Sequence, residues 1–244
     1  MTLLFDDSLF PLTSTIGFVR AAAPKAVDSY LEWQVPLRRA AGRTVTAESL
    51  AGSGGLRPLL LQLLPLRRGE PNRMLFVPTA GEWTAYFDNL ATGPDVLPII
   101  RHLAIALNCP AVRLTAVPHT RRGTGSAATG RYGATVLEII DPIHGRPPLR
   151  YLRSIAAVND GGRWRFDVVG PQQPFEAAEH YRSKLVRDRF PVTLLRDYLR
   201  TLGLDAFEQE FYLAGQPATL VTEEFPDDSN DKYVELAAWQ SGRR

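Results

Sequence analysis

Residues 151–170, YLRSIAAVNDGGRWRFDVVG, constrain the fold more than any other stretch. Two runs with β-branched or aromatic residues at alternate positions flank Asn159-Asp160-Gly161-Gly162, a turn whose glycines accept the positive φ that tight hairpins need. In the second run Trp164, Phe166 and Val168 alternate with Arg163, Arg165 and Asp167. That period gives a strand one buried and one wet face, which is the mark of an antiparallel sheet.

The same alternation recurs in AVRLTAVPHT (111–120) and RYGATVLEIID (131–141). RMLFVPTA (73–80) and EWTAYFDN (82–89) predict a second hairpin around Ala80-Gly81, with Trp83, Ala85 and Phe87 on one face and Thr84, Tyr86 and Asp88 on the other. STIGFVR (14–20) and TVTAES (44–49) read as further strands, and PATLVTEEF (217–225) as an edge strand.

Helical spacing appears at both ends of the chain. PKAVDSYLEW has Pro24 in its first turn, and Pro36 kinks or ends that helix. LRPLLLQLL (56–64) is a short helix stopped by Pro65. DVLPIIRHLAIAL (95–107) has Asp95 as its expected N-cap and Val96, Ile99, Ile100, Leu103 and Leu107 as its stripe. In PVTLLRDYLRTLG (191–203), Leu194, Leu195, Tyr198, Leu199 and Leu202 face one way and Gly203 supplies the stop. PFEAAEHYRSKLVRDRF is expected as a short helix and a bend, DAFEQEFYL as another short helix, FPDDSND as a solvated loop and KYVELAAWQ as a final helix. The sum is an α+β fold: a mainly antiparallel central sheet with helices packed at the N- and C-terminal parts. One domain over residues 1–244 is expected, the alternative being two lobes split near 123–130.

The 244 residues are 45% apolar and 22% charged, which suits a globular chain with a sizeable core. Cys109 is the only cysteine, so no intrachain disulfide can form. Asp6 and Asp7 interrupt the place where a secretory signal would run apolar. The longest apolar run, at 56–66, is broken by Pro58, Gln62 and Pro65 and falls short of the ~20 residues of a membrane span. A cytoplasmic protein without a membrane segment is expected.

Catalytic motifs are missing. GTGSAATG (123–130) lacks the Gly-Lys-Ser/Thr ending of a phosphate loop and is followed by a strand pattern, so it reads as a hairpin loop, with Arg121 and Arg122 beside it. His102, His119, His144 and His180 have no metal-ligand spacing, and no metal or cofactor is expected. Cys109 has no base beside it in sequence, and no GxSxG elbow is present. Glu176 and Glu179 read as an exposed charged helix face, and Glu82 with Asp88 as a carboxylate pair that only folding could assemble. The arginines at 121, 122, 131, 150, 153, 163 and 165 are interleaved with Glu138, Asp141, Asp160 and Asp167, and no recognition-helix or RNA-binding signature accompanies them. Direct nucleic-acid binding is not expected.

Charge is unevenly placed. Residues 1–203 hold 25 basic and 17 acidic side chains, whereas 204–242 hold nine acids against Lys232. Most such runs are solvated faces, here available to pair with the Arg-rich body of the same chain. The functional alternative is a docking surface for a basic partner, built on Glu223, Glu224, Phe225, Asp227, Asp228, Asp231 and Tyr233.

The runs VPTAGEWTAYFDN, LAIALNCPAVR, VNDGGRWRFDVVGPQQPFE and DRFPVTLLRDYLRTLGLDAFEQEFY, spanning roughly residues 73–213, resemble a group of bacterial cytoplasmic proteins associated with polymorphic or contact-dependent growth inhibition systems. The resemblance implies an immunity protein: a non-enzymatic inhibitor that neutralises a cognate toxin domain by occluding its active site. It carries over no individual interface residue. Many such toxins act on nucleic acids, so a basic cleft is expected on the partner, with residues 223–231 entering it as a phosphate mimic. The rival expectation is a small-molecule-binding protein or enzyme with a site near Trp83, Tyr86, Asp88 and the 121–131 loop. A scaffold subunit is a third.

Overall fold

A computed structural model describes residues 3–52, 54–123, 128–148, 150–212, 216–226 and 228–241. In chain order the elements are β1 (Thr15–Val19), α1 (Ala23–Ala40), β2 (Thr44–Leu50), α2 (Leu56–Leu61), β3 (Leu66–Arg67), β4 (Arg73–Pro78), β5 (Thr84–Asp88) and α3 (Leu97–Leu107). They continue with β6 (Ala111–Val117), β7 (Ala134–Ile140), β8 (Tyr151–Asp160), β9 (Arg163–Val169), α4 (Val192–Thr201), β10 (Ala218–Glu224), β11 (Tyr233–Val234) and α5 (Leu236–Ser241).

Nine strands form one sheet in the order β2-β10-β4-β5-β1-β6-β7-β8-β9, and every neighbouring pair is antiparallel. This is the expected α+β architecture. Both hairpins form: β4 pairs with β5, and Asp160 opposes Arg163 across a two-residue turn in which Gly161 (φ 59°) and Gly162 (φ 100°) take the left-handed backbone such turns require. Residues 123–130, the boundary in the two-lobe alternative, lie between β6 and β7, which are direct neighbours in this sheet. Residues 124–127 of that glycine-rich segment are outside the described residues.

The sheet is covered on two sides. Val27 and Tyr30 of α1 and Ile100 and Leu103 of α3 pack with Phe76, Tyr86 and Val221 on one face. On the other, the segment from Leu4 to Leu12, α2 and α4 enclose Phe18, Leu75, Phe87, Leu114 and Leu137. The central strands are therefore buried on both faces, as β5 is throughout. Gly17 on β1 admits α3: a Cβ there would lie 2.6 Å from Ile100 Cγ2. Pro36 sits inside α1, which continues to Ala40.

Several expectations are corrected. PATLVTEEF forms β10, but between β2 and β4 rather than at an edge; the edges are β2 and β9. Residues 174–190 make two 3-10 turns, Ala178–Arg182 and Val186–Asp188, and 205–213 contributes only the 3-10 turn Gln209–Phe211. Within 233–241 the chain forms β11 and then a shorter helix than expected. Val96, not Asp95, is the N-cap of α3, and no side chain caps it. Asp95 instead donates its N–H to Asp88 Oδ2 at 3.1 Å. On β9, Trp164 and Phe166 are half-buried and Val168 is exposed, because an edge strand has cover on one side only.

Candidate functional site

The acidic C-terminal segment is anchored from below by arginines. β10 carries Glu223 into the sheet interior, where its side chain is 2% exposed. Arg43 Nη1 donates to Glu223 Oε1 at 2.8 Å, and Arg38 Nε, at the end of α1, lies 3.3 Å from Oε2. Burial of a carboxylate requires such partners. Arg43 also donates to Glu70 at 2.8 Å, which together with Arg38 and Arg67 holds the Glu70 carboxyl below its usual range.

Phe225 follows, clamped between two guanidinium groups: the Arg67 carbon is 3.8 Å and the Arg43 carbon 4.1 Å from its ring centroid. Arg67, on the short β3, is 2% exposed. It donates to the Glu70 carbonyl at 2.6 Å and to Asp228 Oδ1 at 3.1 Å. The Tyr233 hydroxyl donates to Asp228 Oδ2 and accepts from Asn72 Nδ2 at 3.0 Å. Desolvation works against the Asp228 charge, yet the Tyr233 and Arg67 hydrogen bonds hold its carboxyl below the usual range. β11 pairs with β3, closing the strap back onto the body.

The expected docking residues thus separate into two sets. Glu223 and Asp228 are spent on internal pairs; for Glu223 the expectation of an exposed contact is corrected by its burial. Glu224 and Asp231 are exposed, Phe225 and Tyr233 are half-buried, and Asp227 lies outside the described residues. Glu235 joins the exposed set. What results is an ordered rim of carboxylates over an arginine base. Arg38, Arg43, Arg67 and Asn72 carry no local sequence signal that distinguishes them from other arginines and amides.

Among the described residues, Trp83, Tyr86 and Asp88 do not gather into one site with those of the 121–131 loop. Trp83 lines a cleft of about 560 Å³ with Arg20, Glu82, Cys109 and the start of α1. Its indole donates to the Leu202 carbonyl at 3.2 Å. Arg20 Nε donates to Glu82 at 2.8 Å across the mouth. Burial pushes the Cys109 thiol up, away from the thiolate that a nucleophile needs. Tyr86 is enclosed under α1 and α3. Asp88 is fully buried at the far end of β5 and accepts from the Leu90 and Asp95 amides. Strand register puts Val117 and Ala134, the strand ends that flank this loop, at the end of the sheet opposite Trp83, since Thr84 aligns with Val19 and Val19 with Ala111. Glu82 and Asp88 are likewise at opposite ends of β5.

The remaining candidates are structural or peripheral. Glu176 is not on an exposed face: Arg153 Nη2 donates to it at 2.6 Å, the Gln173 amide at 2.7 Å and the Tyr181 hydroxyl at 2.8 Å. Glu179 is exposed. His102 stacks on Trp33 with centroids 3.7 Å apart, and His119 Nδ1 accepts from the Gly133 amide at 3.2 Å. His144 pairs with Asp141 at 2.9 Å. No group of three His, Cys, Asp or Glu side chains is arranged to hold a metal among the described residues, and no described helix is long and apolar enough to cross a membrane. Comparisons with family models, curated proteins and solved structures give no significant match.

Proposed function

We propose that the chain is a non-enzymatic binding protein of the immunity type, which occludes the active site of a cognate, basic toxin domain inside the cell. The observation that carries this reading is the strap from Glu224 to Glu235, fixed by Arg67 and Tyr233 so that Glu224, Asp231 and Glu235 stand outward. A preordered surface loses little entropy on docking, and a rim whose carboxylates outnumber the neighbouring Lys232 and Arg68 steers a basic partner and rejects acidic ones. Outward carboxylates of this kind would stand in for phosphates in a nucleic-acid-binding cleft of the partner.

The test isolates the partner by tagged pull-down from the host, then measures reconstituted affinity with Glu224→Lys/Asp231→Lys/Glu235→Lys. Reversal weakens binding at least 100-fold at low salt if the rim docks, and leaves it unchanged if it does not. Glu223 and Asp228 are left intact because they hold the fold.

The Trp83 cleft favours a second reading, a small-molecule-binding protein. A metabolite thermal-shift screen tests it: stabilisation abolished by Trp83→Ala supports it.

A further inference from the structure

We propose that the outer edge of β9 is a second docking site, which takes up an extended protein segment of alternating acidic and apolar residues as a tenth strand. It lies seven strand spacings from β10, roughly 34 Å at ~4.8 Å each, and so stands apart from the acidic rim.

Strand geometry defines what is on offer. Asp160 and Arg163 close a two-residue turn and form a hydrogen-bonded pair, after which bonded and non-bonded pairs alternate. Asn159 confirms the phase, because its N–H goes the other way, to the Gly133 carbonyl at 2.8 Å. Trp164, Phe166 and Val168 therefore direct their N–H and C=O groups away from β8. Of these donors, the Val168 N–H goes to the neighbouring Asp167 carboxylate, at 3.0 Å.

A groove of about 550 Å³ follows this edge. It is lined by the five consecutive residues 163–167, with Val186 and Arg189 on its opposite wall. Successive side chains of a strand point to opposite faces, so five in a row line a groove only where it runs along the strand's edge.

The side chains then select the occupant. A paired residue presents its side chain on the same face as the residue it opposes. Positions facing Arg163 and Arg165 favour acids, while those facing Trp164 and Phe166 favour apolar groups that reach Val186. Asp160, 3.3 Å from Arg165, and Asp167 share the arginine face. They limit the acidic positions to two and disfavour a continuous phosphate chain, which selects a peptide over a nucleic acid.

The experiment uses the full chain and a fluorescein-labelled peptide, Thr-Glu-Val-Glu-Val-Thr with a Gly-Ser tail, read by anisotropy. A peptide of equal composition with its glutamates adjacent and a labelled twelve-residue oligothymidine serve as comparisons. The proposal expects saturable binding of the alternating peptide, at least tenfold tighter than either comparison, with slowed amide exchange at Trp164, Phe166 and Val168. Val168→Pro, whose ring blocks an outward N–H without touching the β8 ladder, reduces binding at least tenfold, and so does Arg163→Glu/Arg165→Glu. No binding, binding indifferent to Val168→Pro, or tighter binding of the oligothymidine overturns it. Concentration-dependent protection of the same amides without peptide would overturn it in favour of self-association. Exchange on the unsubstituted chain decides the matter should a variant fail to fold. Glu224→Lys/Asp231→Lys leaves the peptide's affinity unchanged, so failure at this edge and failure of the acidic rim remain distinguishable.

Discussion

Arg67 lies under the ring of Phe225, its guanidinium carbon 3.8 Å from the centroid, although 158 positions separate them in sequence. The same guanidinium reaches Asp228, so one buried cation fixes both the aromatic and the acidic part of the strap. Arg67→Met removes the cation–π contact and the charge-assisted bonds together. The expected loss is about 2–4 kcal/mol in urea denaturation, with faster amide exchange over 225–235. A change below about 0.5 kcal/mol would mean that something else holds the strap.

Asp88 makes stability depend on pH in the sense opposite to most carboxylates. Burial, aided by Asp95 and opposed by the Leu90 and Asp95 amides, raises its carboxyl to about 7. The folded state then keeps a proton that the unfolded chain releases near pH ~3.9. Its contribution is fully present below that value and is lost as pH rises toward 7, at up to ~1.4 kcal/mol per unit. Asp88→Asn, neutral throughout, flattens this slope between pH 4 and 7. Parallel slopes for the two proteins in chemical denaturation would refute the assignment.

The pair Arg153–Glu176 is almost fully enclosed, with side chains 5% and 0% exposed. Glu176→Gln keeps the shape but strands the Arg153 charge among buried groups. A loss of roughly 3–5 kcal/mol is expected, visible as a lowered urea midpoint. Glu179→Gln, three residues on and exposed, serves as the control and changes stability by less than about 0.5 kcal/mol.

Gly17 is where α3 sits closest to the sheet. Gly17→Ala drives its methyl into Ile100 and Val96 and costs about 1–3 kcal/mol by overpacking. Adding Ile100→Val removes a methyl from the same spot, and partial recovery of the loss in a double-mutant cycle confirms the contact. Full additivity would contradict it.

Much of the fold was legible because its signals are local. The β8–β9 turn and the stripe of α4 depend on neighbours a few positions apart; the stripe is found where the pattern puts it, and the turn, expected at Asn159–Gly162, closes one residue on between Asp160 and Arg163. The place of β10 was not legible, since whether a strand lies at an edge is decided by β2 and β4, far away in sequence. The burial of Glu223 and Glu176 escaped for the same reason: a carboxylate is read as exposed until its arginine is known, and Arg43 and Arg153 are 180 and 23 residues distant. The acidic segment was visible as charge, but its division into internal ties and outward groups was not.

If the outward carboxylates of the strap dock a basic toxin domain, as proposed, the complex depends on their charge. The most direct measurement is calorimetric titration of the purified chain with its isolated partner, at low and high salt, alongside Glu224→Lys/Asp231→Lys/Glu235→Lys. The expected result is a stoichiometric complex that abolishes the partner's toxic activity, weakens steeply with salt and loses at least 100-fold in affinity on charge reversal. A complex of unchanged affinity in the reversed variant, or a partner whose activity survives saturation, would contradict it.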